Sequence, residues 1–316
     1  MWTPTTLSVQ TRRVSETMKA ILVGNGTMGE RHRRRFELCG VNFVAAADTQ
    51  AEFDGIVDKL NLGDASEAGV DFAVIASPAT THYDYAKFFL ESRIPVFVEK
   101  PLAITAEQAQ ELVDMAAASG TTLFVAQSEC FNPIFLNFRK HFVAELNARI
   151  ANNEGGAGVR LEFRREHRYS SRCRDVNVML DLLVHDLSMF LTMFRAEDVK
   201  MEWLKTGKKA SNDEAEFDSA MMRLRVASGE YQGVIADFYV NRKSNCDMRE
   251  IAVEFPKSRY TVSLAHYNSE GEVEHVPDSL DNEHRFFLKL LAGACGEWGR
   301  RAAQNAADCV KMCGGK

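Results

Sequence analysis

The first third of the chain alternates short, continuous runs of apolar residues with amphipathic segments. Strands that are apolar along their whole length are typical of a parallel sheet that helices cover on both faces. The segments between the runs have helical spacing, as in residues 105–119, where Thr105 is placed to cap a helix. The pattern therefore predicts a doubly wound α/β domain, with strands at Lys19–Gly26, Val41–Asp48, Asp71–Ser77, Ile94–Lys100 and Thr121–Gln127.

After about residue 130, apolar and polar positions alternate with a period of two. Val159–Tyr169 and parts of Ser219–Val240 show this alternation, which indicates strands with one buried face. One long helix, at about 176–194, precedes most of these strands, and two helical segments at about 281–293 and 299–312 close the chain. This order predicts an α+β domain with a large, mainly antiparallel sheet.

The change of pattern sets the predicted domain boundaries. The polar residues 1–17 are expected to form a flexible leader. Residues 18–130 are expected to form the domain with the parallel sheet, and residues 131–316 an α+β domain for substrate binding and oligomerisation. The last helix, 299–312, is placed to pack back on the first domain.

Composition and charge exclude several classes of protein. Hydrophobic residues make up 46% and charged residues 26% of the 316 residues, which is usual for a globular protein. The net charge of -6 argues against a nucleic-acid-binding protein, which needs clustered positive charge. No apolar run approaches the ~20 residues that cross a bilayer, and the N-terminus lacks the apolar core of a signal peptide, so a cytoplasmic protein without a membrane partner is expected. The seven cysteines contain no CxxC pair, so no metal site is expected.

A glycine-rich loop follows the first predicted strand and opens a helix. Gly24 permits a tight turn, Gly26 lets the backbone approach a pyrophosphate, and Gly29 allows close packing of helix and strand. The phosphates of a dinucleotide then lie at the helix N-terminus. The loop residues expected to bind a cofactor are Gly24, Gly26, Thr27, Met28 and Gly29. The charged run Arg31–Arg35 that follows is interpreted as a solvated helix face.

Asp48 supports a dinucleotide site. It ends the second strand about 20 residues after the loop, where an acid binds the adenosine ribose. Thr49 and Gln50 follow it, and neither is a basic residue that holds a 2′-phosphate. The cofactor is therefore predicted to be NAD rather than NADP.

Three more motifs follow in order along the chain. They are the segment Ser77–His82 after the third strand, the turn Glu99–Pro101 after the fourth, and an Asp-x-x-x-His pair at Asp181 and His185. With the glycine loop, these motifs resemble the Gfo/Idh/MocA family of sugar and cyclitol oxidoreductases, over nearly the whole chain from Met18. The resemblance implies a Rossmann domain followed by an α+β domain, with the site in the cleft between them.

The resemblance also implies roles for the motif residues. Ser77 and His82, with Pro78 between them, flank the nicotinamide half of the site, and Glu99 seats the nicotinamide ribose. Lys100 points its ammonium group at the reacting oxygen, where a cation stabilises negative charge as it develops.

The predicted long helix is apolar except for one narrow stripe, formed at helical spacing by Asn177, Asp181, His185, Ser188 and Thr192. A helix that is apolar on nearly all sides is buried, and a carboxylate there needs a partner. His185 is the nearest candidate partner of Asp181, and Lys100 is the alternative. Asp186 lies on another face and is interpreted as structural, bound to a backbone group or an arginine.

The candidates for substrate binding are Asn132, Arg165 and Arg172. Arg165 continues the core face of the strand Val159–Tyr169 where that face turns polar, as in a pocket wall, although an exposed strand end explains it equally well. By resemblance, the segment that contains Asn132 and the residues from Arg172 onward are similar to the branch nearest to UDP-N-acetylglucosamine 3-dehydrogenases, which oxidises C3 of nucleotide-activated sugars. Cys130 and Ser188 depart from that branch, where a basic residue and an acid are usual.

The sequence thus predicts reversible hydride transfer between NAD and a secondary hydroxyl of a sugar, such as C3 of UDP-N-acetylglucosamine. His185 is the expected base, Asp181 orients it, and Lys100 stabilises the oxyanion. Two alternatives stay open: a dehydrogenase of free sugars, inositol or small carbonyls, and a non-catalytic NAD-binding regulatory protein. The resemblance also suggests a homodimer or homotetramer through the open face of the second sheet, whose apolar strands would otherwise be exposed.

Overall fold

The computed structural model describes residues 17–62, 69–168, 175–208, 217–265, 279–294 and 296–314. Nearly all of the predicted leader lies outside these residues, and so does Arg172. The described residues form a five-stranded and a six-stranded sheet, each covered by helices.

The first sheet is parallel, with the strand order β2-β1-β3-β4-β5. Its strands are β1 (Lys19–Val23), β2 (Asn42–Ala47), β3 (Phe72–Ile75), β4 (Val96–Glu99) and β5 (Leu123–Ala126). The helices are α1 (Thr27–Leu38), α2 (Gln50–Leu60), α3 (His82–Glu91) and α4 (Ala106–Ser119). Strands β3 and β5 are buried along their whole length, as expected for a sheet covered on both faces. The strand order reverses between β1 and β3, and this places a crevice at their C-terminal ends.

The second sheet has the order β11-β10-β6-β9-β8-β7 and is antiparallel except between β6 and β9. Its strands are β6 (Arg160–Glu166), β7 (Val199–Lys208), β8 (Phe217–Val226), β9 (Ile235–Asn241), β10 (Met248–Phe255) and β11 (Ser258–Ser263). Helix α5 (Pro133–Ala151) leads into this sheet from the first one. The predicted fold class, a Rossmann domain with a mainly antiparallel second sheet, is confirmed.

The two faces of the second sheet differ. On the inner face the rings of Phe163 and Phe238 stack with centroids 4.9 Å apart, and Phe190 packs edge-on against Phe238. The outer face leaves Met221 45% exposed, while its neighbours Ala220 and Met222 are buried on the inner face. The alternation predicted from the sequence therefore corresponds to one core face and one open face.

The helix predicted at about 176–194 is shorter and less regular than expected. A π-helical turn, Met179–Leu183, comes first, and α6 (Val184–Leu191) continues from it. In a π-helical turn each residue is displaced from its place on an α-helical wheel. The polar stripe drawn on such a wheel is therefore not continuous across this turn.

The last two helices, α7 (Ser279–Leu291) and α8 (Gly296–Met312), return to the first sheet. Phe287 of α7 packs against the rings of Phe72 and Phe97. In α8, Gln304 exchanges amide hydrogen bonds with Gln110 of α4. Within the described ranges, no helix is long and apolar enough to cross a membrane.

Candidate active site

A cleft of about 980 Å³ runs between the C-terminal ends of the first sheet and the inner edge of the second domain. It extends from the glycine loop at one end to His185 and Arg249 at the other. Among the residues described, no cluster of His, Cys, Asp or Glu has the arrangement of a metal site. Most of the predicted site residues line the cleft: Gly24, Gly26, Thr27, Met28, Asp48, Ser77, Pro78, His82, Glu99, Lys100, Asn132, Arg165 and His185.

Each of the three loop positions suits glycine for a different structural reason. Gly24 has a φ of +91°, and a Cβ atom there would lie 2.3 Å from the amide nitrogen of Ser77. A Cβ atom on Gly29 would lie 1.9 Å from the carbonyl oxygen of Gly24. A Cβ atom on Gly26 would meet nothing within 4 Å, because Gly26 faces the open cleft at the N-terminus of α1. The loop therefore fits a dinucleotide, with backbone amides of a helix N-terminus presented to its phosphates.

Asp48 is held at the end of β2 by the same loop. Its Oδ1 atom accepts a hydrogen bond of 2.8 Å from the amide of Asn25. The next residue, Thr49, caps α2 in a reciprocal arrangement with Glu52, so the chain turns into a helix directly after the acid. Asp48 is exposed in the cleft, at the position where an acid binds the adenosine ribose.

His82 joins two of the turns that border the cleft. Its Nδ1 atom lies 2.7 Å from the carbonyl oxygen of Pro101, and its Nε2 atom lies 2.9 Å from that of Ser77. The ring is 1% exposed, and burial lowers the pKa of His82. This side chain therefore fixes the turn after β3 to the turn after β4.

Lys100 pairs with Asp181 from the other domain. Its Nζ atom donates to the backbone oxygen of Asp181 at 2.8 Å and to Oδ1 at 3.2 Å. A second cation, Arg242, places its Nη1 atom 3.8 Å from Oδ2 of the same carboxylate. The expectation that His185 is the partner of Asp181 is therefore wrong, and the alternative partner, Lys100, is correct. The π-helical turn accounts for this, because it turns Asp181 away from the i, i+4 stripe.

His185 lies in the cleft without a partner for its Nδ1 atom among the described residues. Burial lowers the pKa of His185 well below its ordinary value of 6.5, and the nearby cations Lys100, Arg165 and Arg249 lower it further. The imidazole is therefore neutral at neutral pH, and a neutral imidazole can accept a proton.

Arg165 is committed to a buried ion cluster. Its Nε and Nη2 atoms donate to Oδ1 of Asp186 at 3.0 and 2.8 Å, and its Nη1 atom donates to Oε1 of Glu129 at 2.9 Å. Burial alone would lower the pKa of Arg165, but the two carboxylates raise it. Asp186 thus binds an arginine, one of its two expected partners. Arg165 therefore forms part of the wall of the cleft. Each of its three guanidinium nitrogens already donates to a carboxylate, so few N–H groups remain to bind a ligand.

Asn132 is similarly committed. Its Oδ1 atom accepts from the amide of Ile134 and caps α5, and its Nδ2 atom donates to the carbonyl oxygen of Leu264 and to Glu129. The two departures from the resembled pattern, Cys130 and Ser188, contact each other with 3.3 Å between Sγ and Oγ. A neutral pair thus occupies the two positions at which charged residues are usual in the branch that the sequence resembles.

Sequence reasoning missed Arg249, which also lines the cleft. It pairs with Arg165 across β10 and β6, and its Nη1 atom lies 3.1 Å from Oε1 of Glu129. Its side chain is 45% exposed, in contrast to the 2% of Arg165. The period-two count that identified Arg165 would have identified Arg249 too, because Ile251 and Val253 share its face and are buried.

Known proteins resemble both the sequence and the fold. Residues 18–127 match the family model Gfo/Idh/MocA, described as an oxidoreductase family with an NAD-binding Rossmann fold. UDP-N-acetylglucosamine 3-dehydrogenase from Acidithiobacillus ferrooxidans is 26% identical over 279 residues, which are 84% of this chain and 82% of that protein. Inositol 2-dehydrogenase from Pseudarthrobacter chlorophenolicus is 29% identical over 250 residues, which are 73% of this chain and 69% of that protein.

Two solved structures share the fold over almost the whole chain. The structure of the Acidithiobacillus ferrooxidans enzyme has a TM-score of 0.68 at 20% identity and covers 92% of this chain and 95% of that chain. The WlbA dehydrogenase from Bordetella pertussis, in complex with NADH and UDP-GlcNAcA, has a TM-score of 0.68 at 17% identity and covers 92% of this chain and 94% of that chain.

Proposed function

Because the chain belongs to the Gfo/Idh/MocA family of oxidoreductases, whose NAD-binding Rossmann fold it carries, we propose that it transfers a hydride between NAD and a secondary hydroxyl group of a sugar or polyol. The predicted family, the oxidoreductase class and the NAD cofactor are confirmed by the family match. The observation that carries the proposal is that Lys100, which Asp181 holds in place, lines the same cleft as the neutral His185.

The residues of the cleft have distinct roles in this reaction. The amides at Gly26 and the N-terminus of α1 hold the pyrophosphate, Asp48 binds the adenosine ribose, and Glu99 binds the nicotinamide ribose. Bound NAD supplies the acceptor for the hydride. His185 takes the proton of the substrate hydroxyl, and Lys100 stabilises the negative charge on that oxygen. Asp181 holds the ammonium group of Lys100 in place.

The substrate that we propose is a nucleotide-activated sugar oxidised at C3. The relative that supports this choice, the UDP-N-acetylglucosamine 3-dehydrogenase, aligns over more of the chain than the inositol 2-dehydrogenase does. Arg249 also supports it, because a half-exposed guanidinium in the cleft suits a phosphate or carboxylate oxygen. The second candidate is inositol or a free sugar, which the identity to inositol 2-dehydrogenase favours.

The test is to follow the absorbance of reduced nicotinamide across a panel of UDP-sugars, free sugars and inositols. Turnover is expected with UDP-N-acetylglucosamine and not with the free sugar. Turnover with inositol alone would favour the second candidate, and NAD binding without turnover on any substrate would favour the regulatory alternative. Lys100→Met and His185→Ala should each abolish turnover with NADH binding retained. Lys87→Met is the matched control, because Lys87 is a partly exposed residue of α3 that pairs with Glu111 outside the cleft.

We also propose that the open face of the second sheet forms a homodimer or homotetramer. Met221 is half-exposed there, and Trp203 lies beside Arg223 on the same face. Light scattering of the wild type and of Met221→Lys tests this. The variant should dissociate, and a monomeric wild type would contradict the proposal.

A further inference from the structure

Two histidines that the proposed reaction does not use lie behind Glu99. His32 of α1 and His284 of α7 are both 0% exposed, although the sequence predicted a solvated face for the run that contains His32. The Nε2 atom of His32 lies 2.7 Å from Oε1 of Glu99, and its Nδ1 atom lies 2.9 Å from Nε2 of His284. The Nδ1 atom of His284 in turn contacts the carbonyl oxygen of Leu280. The four groups form one continuous chain of hydrogen bonds that ends at the cleft.

The chemistry of the four groups fixes where the protons lie. A carbonyl oxygen can only accept, so Nδ1 of His284 carries a hydrogen and its Nε2 atom, in a neutral ring, is an acceptor. His32 must therefore donate from Nδ1. The short contact between Nε2 of His32 and Glu99 then needs one more proton, which the two residues share. An ionised Glu99 implies that His32 is an imidazolium.

From this chain of donors and acceptors we infer that His32 and His284 are positioning residues that hold Glu99 as an oriented carboxylate for a ribose hydroxyl of NAD. This inference rests on the proposed role of Glu99 in cofactor binding. The second oxygen, Oε2, accepts from the backbone amide of Lys100 at 3.1 Å, so both carboxylate oxygens are held from the protein side. The side chain of Glu99 is 12% exposed, and that exposure is to the cleft.

The surroundings of Glu99 favour its ionised form. Burial would raise the pKa of Glu99, but His32, Lys100 and His82 together hold it below its usual value. Burial lowers the pKa of His284 to about 3, and His32 and Arg35 act in the same direction. These groups favour a neutral His284 and an ionised Glu99.

An aromatic enclosure separates the two histidines from water. The ring of Phe36 lies 4.2 Å from that of His284, and the ring of Phe97 lies 5.1 Å from that of His32. Phe287, next to His284 on α7, closes the same space against Phe97. In an apolar enclosure a hydrogen bond to a charged group is strengthened, and a lost partner is not replaced by solvent. Removal of the acceptor at residue 284 should therefore change the orientation of the Glu99 carboxylate.

The test is the dissociation constant of NADH, measured by its fluorescence with the full-length protein. His284→Leu removes the acceptor and should weaken NADH binding about tenfold. His284→Gln can place its amide oxygen where Nε2 lies and should bind NADH nearly as the wild type does. His141→Leu, an exposed histidine of α5, is the control and should bind NADH unchanged. Equal affinity of the wild type and His284→Leu would overturn the inference.

A pair of variants at residue 32 separates a positioning role from simple packing. In His32→Gln the side-chain amide can still donate to Oε1 of Glu99, whereas in His32→Leu that oxygen loses its donor. NADH should therefore bind more tightly to His32→Gln than to His32→Leu. Equal affinities of these two variants would overturn the inference, and the pair also serves if His284→Leu does not fold.

Glu99→Gln distinguishes this inference from the proposed function. If Glu99→Gln binds NADH as tightly as the wild type, the role of Glu99 and the inference both fail. If Glu99→Gln weakens binding and His284→Leu does not, the inference alone fails. Neither outcome depends on whether the substrate is a nucleotide sugar, because no sugar is present in the measurement.

Discussion

The two walls of the cleft are built by different means. The wall from the first domain is made largely of backbone, in which Gly24 and Gly29 allow contacts closer than any side chain would permit. The opposite wall is made of buried charges, where Arg165 and Asp186 of the second domain meet Glu129 from the segment after β5. A backbone wall can be recognised from a few consecutive residues, whereas a wall of charges depends on partners that are distant in sequence.

The largest expected effect is on the wall of charges. Arg165→Met leaves the carboxylates of Asp186 and Glu129 buried without their main partner, so the free energy of unfolding should fall by about 3–5 kcal/mol. The control is Arg223→Met, which removes a two-point contact with Asp237 where both side chains are 28% exposed. Its expected cost in urea denaturation is less than about 1 kcal/mol. Similar losses in the two variants would contradict this account of the wall.

The next effect is on stability at acidic pH and concerns His284, which lies behind Glu99 of the first wall. Below its ordinary pKa of 6.5, His284 binds a proton in the unfolded chain, whereas in the folded protein burial lowers its pKa to about 3. The free energy of unfolding should therefore fall as the pH drops through this window, by on the order of 3 kcal/mol at a pH near 4. His284→Gln should lose less stability between neutral and acidic pH in the same urea series. Identical acid sensitivity of the variant and the wild type would refute this prediction.

A smaller effect separates two glycines of the same loop. Gly29→Ala brings a methyl group against the carbonyl oxygen of Gly24 and should lower the free energy of unfolding by about 1–3 kcal/mol. Gly26→Ala meets open space, so its cost in thermal unfolding should be below about 1 kcal/mol. NADH binding should nevertheless weaken in Gly26→Ala, because the methyl group enters the space in front of the helix N-terminus. Normal NADH binding by Gly26→Ala would contradict the proposed position of the pyrophosphate.

The smallest effect is expected where the two walls meet. Asp181→Asn removes the carboxylate from Lys100, but the backbone oxygen of Asp181 still accepts from Nζ at 2.8 Å. The value of kcat should fall only about tenfold, with the dissociation constant of NADH unchanged. Asp308→Asn on α8, outside the cleft, is the control and should keep full activity. A complete loss of activity in Asp181→Asn would mean that the carboxylate does more than hold Lys100.

Much of the fold and part of the site could be predicted from local patterns. The five parallel strands, the glycine loop and the turn after β4 each depend on a few neighbouring residues, and all were recognised. Of the two partners predicted for Asp181, His185 is wrong and Lys100 is correct, because the preference for His185 assumed an α-helix throughout and a π-helical turn interrupts it. The sequence predicts a solvated face that includes His32, because three arginines follow it and its partners Glu99 and His284 lie 67 and 252 residues away.

Local patterns in the sequence are sufficient to predict the two sheets, the position of the cofactor loop and the strand end that carries Lys100. These features follow from backbone geometry and hydrophobic periodicity, which act over short stretches of chain. The pairing of the charged groups depends instead on the folded protein: Lys100 with Asp181, Arg165 with Asp186 and Glu129, and Glu99 with His32, which in turn contacts His284. Distance explains this difference, because a hydrogen bond forms only within about 3 Å, and periodicity does not fix the relative position of distant segments that closely.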